Sequence, residues 1–96
     1  MPNKDRVPID LHWFVYILRC RDGSLYTGIT KDVTRRCQQH NAGTASKYTR
    51  SRLPVRLAHQ EAHPDQSSAL KRELAIKGMT RRKKLALIRL RGKGVS

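Results

Sequence analysis

Two phenols, a guanidinium, an imidazole and a carboxylate are spaced in this chain so that together they could cleave a phosphodiester. Tyr16 and Tyr26 lie ten residues apart in apolar, β-branched runs. Arg36 and His40 follow, four residues apart, in Asp32-Val33-Thr34-Arg35-Arg36-Cys37-Gln38-Gln39-His40. Glu73, one of only two glutamates (the other is Glu61), comes later. Phenols and imidazoles move protons at a reacting centre. A guanidinium grips a phosphate through two parallel N–H bonds. A lone carboxylate can hold a hard divalent cation whose other positions go to water and phosphate.

Those side chains act together only if the backbone brings them to one surface. Trp13–Arg19 is aromatic and β-branched and apolar on both faces, the pattern of a central strand. Asp22-Gly23 is a hairpin signal, and Leu25–Thr30 is the returning strand. Tyr16 and Tyr26 share a face only if the hairpin loop has an odd number of residues, for which a loop with glycine in the left-handed region suffices. For the two tyrosines alone, ordinary packing is the simpler account, since tyrosine is common in strands.

Asp32 can cap a helix that ends near Asn41-Ala42-Gly43. Val33, Arg36, Cys37 and His40 fall within an arc of roughly 100° on it. Val33 and Cys37 must face the sheet, which leaves Arg36 and His40 bordering the core and sends Arg35 and Gln39 outward. The alternative is a snorkelling arginine and a surface histidine. Residues 45–52 form a basic loop or short helix stopped by Pro54, and residues 55–59 alternate weakly as a third strand. Pro64-Asp65 opens a second helix that runs to Lys77 and closes at Gly78. Thr80 caps a third, reaching about residue 90.

On the second helix Ala69, Leu70, Glu73, Leu74 and Ile76 span an arc of roughly 160°, with Glu73 in its middle. A carboxylate there costs free energy unless something pairs with it. Lys77, four residues on, is one candidate; a metal ion is the other. The expected fold is α/β of the α+β kind, a small sandwich with a central three-stranded antiparallel sheet flanked by helices. The domain spans residues 12–91, between a flexible arm (1–11) and a frayed basic tail (92–96).

The 96 residues carry 21 Lys and Arg against 7 Asp and Glu, a net charge of +14. Such a chain suits a polyanionic partner, nucleic acid first. Lys31, Arg35, Lys47, Arg50 and Arg52, with Tyr48 among them, are candidate phosphate and base contacts. Arg81, Arg82, Lys83 and Lys84 oppose the dipole of the last helix, a penalty that a bound anion would reverse. For any one of these residues a solvated charged face is the simpler account. No apolar run approaches the roughly 20 residues of a membrane span. Cys20 and Cys37 make no metal spacing, and a reduced, cytoplasmic protein is the simpler expectation.

With these residues in place, the sequence resembles the GIY-YIG nuclease superfamily, and within it the small bacterial stand-alone proteins. The two naming motifs stand as Val15-Tyr16-Ile17 and Tyr26-Thr27-Gly28. Arg36 falls where the family has its catalytic arginine, His40 where it has a His or Tyr, and Glu73 where it has its metal-binding glutamate. The match covers about residues 13–90. It departs from the family in lacking a late Asn, since the only asparagines are Asn3 and Asn41. The Lys that some members carry soon after the second motif falls in a segment that reads Ile29-Thr30-Lys31 here.

The resemblance implies one-metal hydrolysis with Mg²⁺ or Mn²⁺ on Glu73. Tyr26 would be the phenolate base, helped by His40, with Tyr16 positioning the water or phosphate. Arg36 would neutralise charge on the phosphate, and Gly28 would be structural. The implied activity is a DNA endonuclease of repair or recombination, selective for structure (duplex, branched or single-stranded) more than for sequence. A non-catalytic nucleic-acid-binding module and a basic RNA- or ribosome-associated protein stay open beside it.

Overall fold

The structure is a computed structural model and describes residues 12–94; expectations for residues 1–11 and 95–96 lie outside it. The order is β1 (Trp13–Arg19), β2 (Leu25–Thr30), α1 (Val33–Asn41), α2 (Lys47–Arg50), β3 (Arg56–His63), α3 (Gln66–Lys77) and α4 (Arg81–Gly94). The sheet runs β2-β1-β3, antiparallel throughout. β1 is central, as its uninterrupted apolar run requires, and residues 15–18 are buried from both sides.

Arg19 pairs with Leu25, so residues 20–24 form the hairpin loop. Gly23 sits at φ 88°, a left-handed conformation that glycine adopts without steric cost. The odd loop sets the register: Tyr16 opposes Gly28 and Leu18 opposes Tyr26, which puts both tyrosines on one face. That face packs Tyr16, Leu18, Cys20 and Val55, with Tyr26, Cys37 and Leu53 around them. The other face packs Val15 and Ile17 against Ala69 and Ile76 of α3, with Leu87 and Ile88 of α4. Fully burying one such aliphatic side chain contributes about 1.5–3 kcal/mol. Both cysteines are free thiols.

Capping sets the helix starts. Asp32 accepts from the Arg35 amide at 3.0 Å, Asp65 from the Ser68 amide at 2.8 Å and the Thr80 hydroxyl from the Lys83 amide at 3.2 Å. Asn41 clamps the end of α1 to the chain entering β3. Its Nδ2 donates to the Val55 carbonyl at 3.1 Å, and its Oδ1 accepts from the Val55 amide at 2.7 Å.

Two elements differ from the sequence reading. The third strand begins a residue later and runs on to His63 instead of ending at residue 59. A bulge explains the weak alternation: Ile17 pairs with His59 and Leu18 with Leu57, so one residue is extra and the phase flips. Beyond the bulge, Glu61 and His63 face the α3 layer, and polar inward residues hide a strand from a hydrophobicity pattern. There Glu61 takes Arg72 Nε at 2.8 Å, Arg72 Nη2 at 3.0 Å and His59 Nε2 at 2.8 Å. The last helix also continues to Gly94, past the point at which the glycines were expected to fray it.

Candidate active site

The site forms where α1 crosses the tyrosine-bearing face of the sheet. Tyr16 is 1% exposed and His40 is 1% exposed. The Tyr16 hydroxyl and His40 Nε2 are 3.0 Å apart, and His40 Nδ1 lies 2.7 Å from Thr49 Oγ1. Both ring nitrogens are therefore engaged. The imidazole is buried, more deeply than a position bordering the core implies, because α2 folds Thr49 over it. Thr49 is 0% exposed and in turn donates to the Ser46 carbonyl at 3.4 Å.

Tyr26 packs its ring edge-on to His40, centroids 5.1 Å apart, and lies 6.4 Å from the Tyr16 ring. Tyr48 stacks on Tyr26 at 6.0 Å, and the Arg52 guanidinium covers the Tyr48 ring at 3.9 Å. The sequence assigned any help from His40 to Tyr26. The hydrogen bond runs to Tyr16 instead, and with Nδ1 on Thr49 the imidazole has no nitrogen left for Tyr26.

Arg36 is half-buried beside this group. Its Nε donates to Gln39 Oε1 at 3.0 Å, so Gln39, expected to point away, supports the guanidinium. Arg36 also lies close enough to the Tyr16 hydroxyl to favour the phenolate by hydrogen bond and charge. Burial, reinforced by Tyr26, outweighs that and pushes the Tyr16 phenol up to about 12. Burial and then the Arg36 charge lower the His40 imidazole from its ordinary value, which favours the neutral ring. Arg36 further lines a polar recess of about 320 Å³ with Lys31, Arg35, Trp13, Asp32, Thr30 and Gln39. Lys31 Nζ stands 5.5 Å over the Trp13 ring there.

Gly28 is structural for a specific reason. A Cβ built at that position would lie 2.7 Å from the Tyr16 hydroxyl oxygen and 2.9 Å from Tyr16 Cζ, closer than real Cβ contacts. Only glycine lets Tyr16 lie flat across β2 and reach His40.

Glu73 stands apart from the tyrosines. Its helix packs on the opposite face of the sheet, across β1 and β2. Its carboxylate, 14% exposed, pairs with Lys77 at 3.2 Å, while Lys77 itself is 52% exposed. Arg52 is already committed: it bonds Asp22 at 3.2 Å and the Tyr48 carbonyl at 2.7 Å, strapping α2 to the hairpin loop. Lys47 and Arg50 are exposed, as are Arg81, Arg82 and Lys83, with Lys84 half-buried. The sequence reading missed Thr49 and Gln39. Their signal was faint: a hydroxyl and an amide in polar segments, meaningful only once α1 and α2 are folded together.

The GIY-YIG catalytic domain model matches residues 12–86, which takes in every one of these site residues. This chain belongs to the GIY-YIG family. It is also 55% identical, over 83 residues, to the UPF0213 protein of Staphylococcus aureus, covering 86% of this chain and all of that one. The solution NMR structure of a UPF0213 protein from Bacillus halodurans superposes with a TM-score of 0.56 at 48% identity, covering 83% of this chain and 85% of that one. A second NMR structure, of a protein from E. faecalis, gives 0.56 at 39% identity over 86% of each chain. The GIY-YIG family is a nuclease superfamily, and nucleic acid is the partner such a domain and such a charge suit. Among the described residues no helix is long and apolar enough to cross a membrane.

Proposed function

We propose that this protein is a divalent-metal-dependent endonuclease that hydrolyses phosphodiester bonds in DNA, selects for structure more than sequence, and serves repair or recombination. The observation that carries this reading is the buried Tyr16–His40 pair, 3.0 Å apart, beside Arg36 and under Tyr26. A phenol bonded to a neutral, desolvated imidazole is a proton relay. As water attacks phosphorus, Tyr16 takes its proton while passing its own to His40 Nε2. The phenol held at about 12 need never ionise alone, because gain and loss of the proton are coupled.

Arg36 meets the charge that builds on the phosphate, an effect usually among the largest in such reactions. Lys31 and Arg35, across the same recess, hold the neighbouring phosphates. Tyr26, its ring edge-on to His40, flanks the relay and orients the attacking oxygen.

Glu73 fits a one-carboxylate metal site. Mg²⁺ and Mn²⁺ bind through one or two carboxylates and keep water and phosphate in their other positions. No cluster of three or more His, Cys, Asp or Glu side chains forms a fuller cage among the described residues. Lys77 is half exposed and can swing away from Glu73. A cation held there by Glu73 would supply charge neutralisation on the phosphate. β2 is one of the two edge strands, and α3 packs across it on the face opposite the tyrosines.

The test is cleavage of labelled duplex, flapped and single-stranded DNA with Mg²⁺ or Mn²⁺. Tyr16→Phe, His40→Ala and Arg36→Ala should each abolish cleavage while binding persists. Binding without cation-dependent cleavage by the native protein would favour a non-catalytic nucleic-acid-binding module.

A further inference from the structure

We propose that Thr49 is a positioning residue that fixes the tautomer of His40, keeping Nε2 free to accept the Tyr16 proton. The inference rests on the relay reading of the Tyr16–His40 pair and names what gives that relay its direction.

The direction follows from the two ends of a buried chain of hydrogen bonds. At one end stands Arg36, which can only donate. Its charge favours negative charge on the Tyr16 oxygen, so the phenol proton is better turned away from Arg36. The partner in reach is His40 Nε2, 3.0 Å away. At the other end stands the Ser46 carbonyl, which can only accept, and the Thr49 hydroxyl faces it at 3.4 Å. With its single proton turned to that carbonyl, Thr49 presents lone pairs to His40 Nδ1 at 2.7 Å. The chain then runs one way: Tyr16 O–H to Nε2, Nδ1–H to Thr49, Thr49 O–H to Ser46. The opposite tautomer would turn Nε2–H onto the Tyr16 oxygen, leave the phenol proton without that nitrogen as its acceptor, and take the Thr49 proton from the Ser46 carbonyl. Tyr16, His40 and Thr49 are 1%, 1% and 0% exposed, so bulk water cannot repair a wrong arrangement.

Thr49 thus touches neither substrate nor metal. Its hydroxyl decides which ring nitrogen holds the proton, the orienting task that a second group performs for catalytic histidines generally. When the relay fires, the imidazolium that forms keeps its Nδ1–H on Thr49, so the same contact holds the ring through the step.

The experiment uses the full chain with ¹⁵N-labelled histidine. Long-range ¹H–¹⁵N spectra at neutral pH report directly which ring nitrogen of His40 is protonated. The expected result is a protonated Nδ1 and a bare Nε2 in the native protein and in Thr49→Ser. In Thr49→Val, which keeps the shape and loses the hydroxyl, the Nε2-protonated form should appear. A native spectrum with the proton on Nε2 overturns the proposal without recourse to any variant, as does an unchanged tautomer in a folded Thr49→Val.

Cleavage assays add the second readout. Thr49→Val should lose about 100-fold or more in kcat with KM little changed, and Thr49→Ser should recover most of it. The tautomer result stands by itself: the expected spectra in a protein that cleaves nothing would refute the nuclease reading and leave the hydrogen-bond direction intact. Cleavage that depends on Tyr16 but is unaffected by Thr49→Val would keep the nuclease and remove Thr49 from its mechanism.

Discussion

Replacing Gly28 with alanine tests the site and the fold at once. The added methyl carbon would lie 2.7 Å from the Tyr16 hydroxyl oxygen, 2.9 Å from Cζ and 3.2 Å from Cε2. Tyr16 cannot step aside cheaply, because it is 1% exposed and wedged among Leu18, Cys20 and Val55. Overpacking of this kind costs about 1–3 kcal/mol. If the ring moves, the 3.0 Å bond to His40 breaks and a buried donor and acceptor lose each other, a further 1–3 kcal/mol or so. Relaxation can avoid part of one cost but not both, so a loss of about 2–4 kcal/mol is expected, with cleavage falling alongside. Urea denaturation of the native protein, Gly28→Ala, Tyr16→Phe and the double variant measures it. Phenylalanine removes the atom in closest conflict, so the double variant should be less destabilised than the two single losses added together. Gly23→Ala is the control: nothing lies within 4 Å of its added carbon, and only its φ of 88° resists. A Gly28→Ala protein within about 0.5 kcal/mol of native, still cutting DNA, would refute the argument that Gly28 exists to seat Tyr16.

Three further outcomes follow. Burial opposes ionisation of Glu61, but hydrogen bonds from Arg72 and then His59 bring its carboxyl down from 4.5 to about 2. That stabilises the fold above the ordinary carboxylate value and is lost as pH falls toward about 2, a ceiling of about 3 kcal/mol that screening at partly exposed Arg72 cuts to on the order of 2. Denaturation followed across that acid range should show a steep loss in the native protein and a shallower one in Glu61→Gln; equal slopes would refute it. Glu73→Gln should abolish Mg²⁺- or Mn²⁺-dependent cleavage while shifting stability by less than about 1 kcal/mol, because its partner Lys77 is half exposed and is not left stranded. Full cleavage with a large drop in melting temperature would instead make the pair with Lys77 its purpose. Binding to unrelated duplexes should weaken steeply and alike as salt rises, since the +14 charge acts through phosphates and counterion release, and a flat salt dependence would count against that.

The parts of this molecule that were legible in the sequence are those set by local period and turn chemistry. The apolar run Trp13–Arg19 declared a central strand, Asp22-Gly23 declared its hairpin, and Asp32 and Asp65 announced their helices through the amides they cap. Helical spacing also brought Arg36 and His40 to the margin of the sheet. What was hidden depends on contacts between segments. Thr49 meets His40 from nine residues away, and His40 meets Tyr16 from twenty-four. Neither distance leaves a trace in a pattern of hydrophobicity. The bulge after Ile17 scrambled the alternation of β3, and Glu61 and His63 disguised its second half because they are polar residues turned inward.

His40, Thr49 and Glu73 share one property: they are polar groups placed where apolar ones would pack more cheaply. His40 and Thr49 lie in the tyrosine-side core, and Glu73 lies in the apolar stripe of α3. Each costs desolvation, and each is satisfied by a specific partner rather than by water. Their satisfaction differs in kind. His40 and Thr49 are locked into a closed chain that ends on a backbone carbonyl, an arrangement that holds one geometry. Glu73 has a single flexible partner with half its surface in solvent, an arrangement that can be undone. A proton relay needs the first, because its direction must survive each turnover. A metal ligand needs the second, because the cation and its phosphate must be able to take the partner's place. On the proposed reading, the two faces of one small sheet would carry the rigid and the exchangeable halves of the chemistry, the tyrosine side holding the first and α3 the second.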